Sequence, residues 1–514
     1  MRAADRHPEG GGDVMMTSNA LSLTEPWSAE GDRQYSLPDT LLVKLSLGEA
    51  PRDIPVLRDV TRRAHAAATS IDGGPIDRIT SEIAGGFRAV RLHAAAGNAN
   101  ETGKRHHGFD AIEEVTGVAR TLALRVPNGT PIGALCEILR QIPTVETASP
   151  NYLTTTPFDI QAPAGGFGDD EVHRLHAMVN ASQALAHEPG DEGVRVGLID
   201  SGIASGHAEL AHAFQAGYDT VRLDDGAVAA GVTLLGDHRH NDSNPADDHV
   251  GHGMGCAGII AARGLNIPRG LGGASRILPM RALAAAQLPG KGKAVGIGAL
   301  SDLDMAMKLA VDLGAKVINM SFGTDDAALS PNSPKPHQDI VDYAIARGCI
   351  LIAASGNNGQ ETRYWPAAYP DVIAVGSVES DGAISGFSTR GGHVALCAPG
   401  SRVLTTSISG YQHATGTSFA APFVSATAAL LVARAHRRAF PVNAALAKRL
   451  MIASARPFAR ENPGGCGSGV LDAHAALLAL DREIDSVLDE KPEDDAPRAA
   501  GEQPASNRGG ADDG

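Results

Sequence analysis

Four residues at the ends of apolar runs carry side chains able to do chemistry together. Asp200 closes VRVGLID (194–200) and is followed by Ser201 and Gly202, so a carboxylate sits on a sharp turn, although Asp-Ser-Gly serves equally as plain turn chemistry. His252 stands between Gly251 and Gly253 at the head of the helix-like run GMGCAGIIAARG (253–264), where small neighbours leave its imidazole accessible. Alone it reads as well as a surface histidine. Asn357 follows CILIAASG (349–356) in SGNNG, which is either a tight turn or an amide donor aimed at a developing negative charge. Ser418 lies in GTSFAAPFVSATAALLVARA (416–435), where a Gly-Thr turn delivers it to the first turn of a long apolar helix. There the backbone N–H groups lack partners and the helix dipole favours an oxyanion; the alternative is an N-capping serine.

A hydroxyl, an imidazole and a carboxylate are the parts of an activated nucleophile, with an amide for the oxyanion. A metal reading competes around His252, because Asp237, His238, His240, Asp242, Asp247, Asp248 and His249 crowd before it. Against it, His249 and His252 lack the HExxH arrangement that puts two ligands and a base on one helical face.

The elements that must position these residues fall into two styles. Residues 37–153 alternate strand-like runs such as TLLVKLSL (40–47), FRAVRLH (87–93) and ARTLALRVP (119–127) with helical stretches at 56–68 and 130–142, closing on the strand VETASPNYL (145–153). A small α+β unit is expected there. After a Thr-, Pro- and Gly-rich linker (154–168), short buried runs alternate with helices over about 165–480, which predicts an α/β domain with a doubly wound, mostly parallel sheet. In such a sheet function collects at the carboxyl ends of the strands, where Asp200 and Asn357 fall. Residues 1–36 lack periodicity, and 481–514 carry 11 acidic and 4 basic residues, so both ends read as disordered.

The formal net charge of -15 argues against a nucleic-acid partner, since no basic patch is concentrated anywhere. Five scattered cysteines (Cys136, Cys256, Cys349, Cys397, Cys466) with no CxxC pair indicate neither a zinc module nor a disulfide framework. No signal-like apolar run is recognised in the first thirty residues and no membrane span elsewhere, which leaves the compartment open between cytoplasm, export by another route and a misplaced start.

Taken together, VGLIDSG (196–202), GHGMGCAGIIAA (251–262), VINMSFG (317–323), AASGNNG (353–359), YPDVIAVGSV (369–378), GTSFAAPFVSATAALL (416–431) and GSGVLDAHAAL (467–477), in this order, resemble the subtilisin family of serine proteases over about 165–480. The resemblance implies an endopeptidase working through an acyl-enzyme, with Ser418 as nucleophile, His252 as general base and acid, Asp200 orienting the imidazole, and Asn357 with the Ser418 N–H holding the oxyanion. It implies protein or peptide substrates that add a strand beside Ser321, Phe322 and Gly323, with Ala354, Ser355 and Gly356 as a pocket wall. No cofactor is required for such chemistry; structural calcium is common in the family, and no motif here identifies its ligands. The unit 37–153 resembles the family's propeptide, a partner in cis that inhibits and aids folding until it is cut off in the linker. Two departures stand out: Gly255 replaces a usual histidine three residues after His252, and Phe322 replaces a usual Leu. A peptidase dedicated to one precursor and a peptide-binding pseudoenzyme are the alternatives.

Overall fold

The computed structural model describes residues 36–49, 53–62, 64–97, 108–156, 169–229, 231–239, 241–329, 332–461 and 463–489. The expectations made for 1–35, for the linker from 157 to 168 and for 490–514 lie outside the described residues.

The N-terminal unit runs β1 (Ser36–Leu45), α1 (Leu57–Thr61), α2 (Pro75–Ala84), β2 (Arg88–Arg91), α3 (Ala111–Thr116), β3 (Thr121–Arg125), α4 (Ile132–Leu139) and β4 (Val145–Thr155). Its strands pair antiparallel in the order β2-β3-β1-β4, and Leu41, Val43, Leu122, Leu124, Leu135 and Leu139 bury against one another as its core. The helix expected over 56–68 is only the short α1, because Ala68 leaves to bridge Ala89 at the sheet edge. The longer helix is α2, which opens with Pro75 at its first turn while the Asp72 carboxylate accepts the N–H of Ile76 and Asp77. Strand β4 runs through Thr155, two residues into the expected linker.

The second unit contains α5 (Asp169–Met178), α6 (Ala181–His187), β5 (Arg195–Asp200), β6 (Tyr218–Asp219), β7 (Thr233–Leu235), α7 (His252–Ala261), β8 (Arg276–Arg281), β9 (Ala284–Gln287), β10 (Val295–Ala299), α8 (Leu300–Asp312), β11 (Val317–Met320), β12 (Thr324–Asp325), α9 (Gln338–Ala346), β13 (Ile350–Ala354), β14 (Tyr364–Trp365), β15 (Val372–Val378), β16 (Val394–Pro399), β17 (Val403–Thr406), β18 (Tyr411–Ala414), α10 (Thr417–Arg437), α11 (Ala444–Ser454) and α12 (Ala473–Asp489). Seven strands form a parallel sheet in the order β16-β15-β13-β11-β5-β8-β6. Alternate residues of each strand feed two cores: Val196 and Leu198 of β5 face α7 and α10, while Ile199 joins α8 and α9 on the other side.

Two readings change with the structure. Helix α12 continues through 481–489, where a disordered tail was expected to begin, because Leu480 and Ile484 are buried and Asp481 is paired with Arg434, Arg438 and His187. Helix α10 is long and apolar enough to cross a membrane by length and composition, contrary to the expectation that no stretch is. Its apolar window is 94% buried inside the protein, as a core helix would be.

The loop after α7 is held by one carboxylate. Glu209, fully buried, accepts the N–H groups of Gly264, Leu265 and Asn266. Burial pushes its pKa up, but these amides outweigh that and hold it below the ordinary value. Its contribution is therefore present above the usual carboxylate range and fades as pH falls below it. Glu209→Ala in a Ser418→Ala background should cost about 2 kcal/mol, since three backbone donors of an exposed loop lose a buried, charged acceptor. A melting temperature within about 1 °C of the parent at neutral pH, where roughly 5 °C is expected, would remove that role.

Candidate active site

The carboxyl ends of β5, β11 and β13 and the N-termini of α7 and α10 converge on one cleft. Asp200 ends β5, 1% exposed, and its Oδ1 accepts from the N–H of Ser201 (2.7 Å) and pairs with His252 Nδ1 (2.8 Å). Because the Nδ1–H donates to the carboxylate, Nε2 is left as the basic nitrogen, and among the described residues it is buried without a partner. His252 is the first residue of α7, and Gly251 before it takes φ 72°, a turn that favours glycine.

This turn is fixed by a buried carboxylate from the acidic, histidine-rich stretch for which a metal reading was weighed and disfavoured. Asp247 accepts the N–H groups of His249, Val250 and Gly251 and the hydroxyl of Ser201, which in turn accepts from the N–H of Gly253. Asp237 and Asp242 likewise accept backbone N–H groups, of Arg239 and Asn244. Among the described residues, the one group of His, Cys, Asp and Glu close enough to share an ion is Asp200, His252 and Cys256. Its nitrogen and sulfur do not suit calcium, which takes oxygen ligands.

Ser418 enters the first turn of α10, fully buried, with its amide at a position that has no intrahelical acceptor. Its hydroxyl donates to the Ser321 carbonyl (3.1 Å), so in this state it is turned from His252. Asn357 lies at the end of β13 with its Oδ1 accepting from the N–H (2.8 Å) and hydroxyl (3.0 Å) of Thr417. That commits the carboxamide oxygen and leaves the NH2 as the free donor. Thr417 escaped the sequence reading, which had no means of placing residue 417 beside residue 357.

The strand residues named for substrate separate in position. Gly323 forms an antiparallel bridge with Thr155 of the N-terminal unit, whereas Phe322 is 3% exposed and packs edge-on to His337. Ser321 faces α10, its hydroxyl donating to the Ser418 carbonyl (2.8 Å). Ala354, Ser355 and Gly356 are buried at the end of β13, Gly356 at φ 113° exchanging bonds with Thr417. At Gly255 a side chain would come within 2.7 Å of Phe419, whose ring packs 5.1 Å from that of His252, which accounts for the missing second histidine.

The Subtilase family model matches residues 191–484, more than half of the chain. The chain is a subtilase. It is 33% identical over 318 residues to the thermophilic serine proteinase of Bacillus sp. (strain AK1), covering 60% of this chain and 68% of that protein. It is also 33% identical over 269 residues to thermitase of Thermoactinomyces vulgaris, covering 52% and 84%. Among solved structures, a protease from Pseudoalteromonas arctica PAMC 21717 superposes with a TM-score of 0.50 at 23% identity, covering 60% of this chain and 97% of that one, which shows the fold. This subtilase is accordingly a hydrolase, a serine endopeptidase acting on protein substrates.

Cys256 sits directly behind the cleft of the subtilase, fully buried, its Sγ within 4.8 Å of ligand atoms of Asp200 and His252 and in contact with the Ser418 carbonyl (3.4 Å). Burial first, and the Asp200 charge second, push its thiol well above the ordinary value, so it is a neutral packing group at pH 7. A small mercurial that reaches it must displace His252 or Ser418. Active wild-type enzyme should lose most casein hydrolysis on such treatment while Cys256→Ser resists; equal loss in both would assign the inhibition to another cysteine.

Proposed function

We propose that the chain is a self-processed zymogen whose 37–153 unit blocks the cleft in cis, and whose peptidase acts through Ser418, His252, Asp200 and Asn357. One observation carries the first half. The end of β4 lies between two edges of the peptidase as an added strand: Thr154 and Thr155 pair antiparallel with Gly298 and Ile297 of β10, and Thr155 bridges Gly323 on the other side. The Thr154 hydroxyl also donates to the carbonyl of Gly323, two residues past Ser321, whose own carbonyl holds the Ser418 hydroxyl.

In the mechanism, the Ser418 hydroxyl turns from Ser321 toward His252, whose unpartnered Nε2 takes the proton as Oγ bonds to the substrate carbonyl. Asp200 stabilises the resulting imidazolium through Nδ1. The carbonyl oxygen becomes an anion between the Asn357 amide and the Ser418 N–H, each donor worth about 3 kcal/mol in the transition state. The imidazolium then gives its proton to the leaving amine, and water, activated by the same nitrogen, releases the acyl group. Metal and cofactor enter no step.

Asn357→Ala should lower kcat by roughly 10²–10³ with little change in KM, because the charge it meets exists mainly in the transition state; a raised KM with unchanged kcat would contradict that role. Wild type should mature to a species whose N-terminus lies within 153–168, and Ser418→Ala should accumulate at full length without hydrolysing casein. A Ser418→Ala chain that matures alone, or a chain lacking 1–153 that folds and cleaves normally, would overturn the zymogen reading.

A further inference from the structure

The segment laid in the cleft makes contacts through its side chains as well as its backbone. Thr154 and Thr156 are each 2% exposed, while Thr155 between them is half-buried. The Thr154 hydroxyl donates to the Gly323 carbonyl (2.8 Å). At Thr156 both ends of the side chain are met: its hydroxyl accepts the Gly296 N–H (2.9 Å), and its own N–H donates to the Gly296 carbonyl (2.8 Å). Its methyl lies where a side chain on residue 296 would project, since a Cβ built on Gly296 would stand 2.9 Å from Thr156 Cγ2 and 3.1 Å from Leu283 Cβ.

We propose that this cleft selects substrates with threonine at two alternate positions, those occupied in cis by Thr154 and Thr156, and that Gly296 is the residue that reads the second. The inference rests on the cleft assignment above and deepens it to a substrate class: peptides with a Thr-x-Thr segment on the acyl side of the cut. Valine at the second position keeps the shape but offers no acceptor, and leaves the Gly296 N–H buried and unpaired. Serine keeps the acceptor and leaves the space beside Leu283 empty. Glycine loses both but is not hindered by a larger residue at 296. A subsite that pairs with a hydroxyl discriminates against the isostere lacking it more strongly than one that only measures volume.

The test uses the full chain, activated and hydrolysing casein, with the peptide PNYLTTTPFDIQAPA (residues 150–164) as competitor. The parent peptide should compete best. Thr156→Val in the peptide should weaken competition roughly tenfold, and Thr156→Ser by a smaller factor. In Gly296→Ala enzyme the parent peptide should lose roughly tenfold while a Thr156→Gly peptide changes less than about threefold, because only the former meets the new methyl. A cleavage-independent reading comes from the uncut Ser418→Ala chain, where Thr156→Val should speed hydrogen exchange over 295–299 at least about tenfold. Valine and threonine competing within twofold, together with Gly296→Ala weakening every peptide alike, would overturn the proposal. A chain inactive on casein whose exchange nevertheless responds to Thr156→Val would instead fail the peptidase reading and leave the subsite standing.

Discussion

The cleft depends on a buried polar chain that locks α10 onto the centre of the parallel sheet. Ser425 on α10 donates to Asn319 Oδ1 on β11 (2.8 Å), Asn319 Nδ2 donates to the Ser321 hydroxyl (2.9 Å), and that hydroxyl donates to the Ser418 carbonyl (2.8 Å). All four residues are fully buried, so each bond left unmade would expose an unsatisfied polar group to an apolar core. Apolar packing alone would let the largely Ala, Leu and Val surface of α10 slide; these directional bonds fix its rotation and register. Ser418 is thereby held against Ser321, the residue that follows β11. Asn357 is brought to the same point through Thr417, one residue away on the same helix turn.

The resting geometry joins the imidazole to its carboxylate but not to the serine. The Asp200–His252 link is made, Nε2 is bare, and the Ser418 hydroxyl rests on a carbonyl. That carbonyl belongs to Ser321, just past the end of β11, so a main-chain donor arriving there would compete with the hydroxyl and free it to turn. Catalytic hydrogen bonds that tighten only with substrate in place are common, and here the competing acceptor is identified.

Much of this was legible because it is local. The runs VRVGLID, CILIAASG and TSFAAPFVSATAALL became β5, β13 and α10 with Asp200 closing β5, Asn357 three residues past β13 and Ser418 in the first turn of α10, since continuous apolar residues between turns specify strands and helices buried on both sides. What sequence reading missed is non-local. The three strands β7, β9 and β10 extend the N-terminal sheet into one antiparallel sheet of seven, in the order β2-β3-β1-β4-β10-β9-β7, yet AAAQ and VGIGA carry almost no side-chain signal of being strands. Their small residues suit a place where backbones approach closely, as Gly296 and Gly298 do beside Thr156 and Ala282. The roles of Asp247, Thr417 and Glu209 escaped for a related reason: each acts on backbone groups that only the fold brings near.

The same non-local sheet bears on how firmly the N-terminal unit is held, and on how it could depart under the zymogen reading. Across the boundary, Glu113 meets Lys308 (2.7 Å) at 0% and 3% exposure, Lys44 meets Asp339 (2.7 Å), and Arg347 pairs with Asp110. Buried ion pairs roughly break even against the cost of desolvating them, so they fix the pose of the N-terminal unit more than they tighten it. The favourable part falls to strand pairing at β10 and to apolar anchors such as Leu153, buried with Val221, Leu223 and Ile297. While the chain is intact, those contacts act at the high effective concentration of a tethered partner. A cut beyond Thr156 would remove the tether while leaving these contacts in place, and binding would then depend on the free concentration of the released unit. Under the zymogen reading, the contacts of Thr154 and Thr156 would govern both which bonds the enzyme selects and how long its own N-terminal unit stays after the cut.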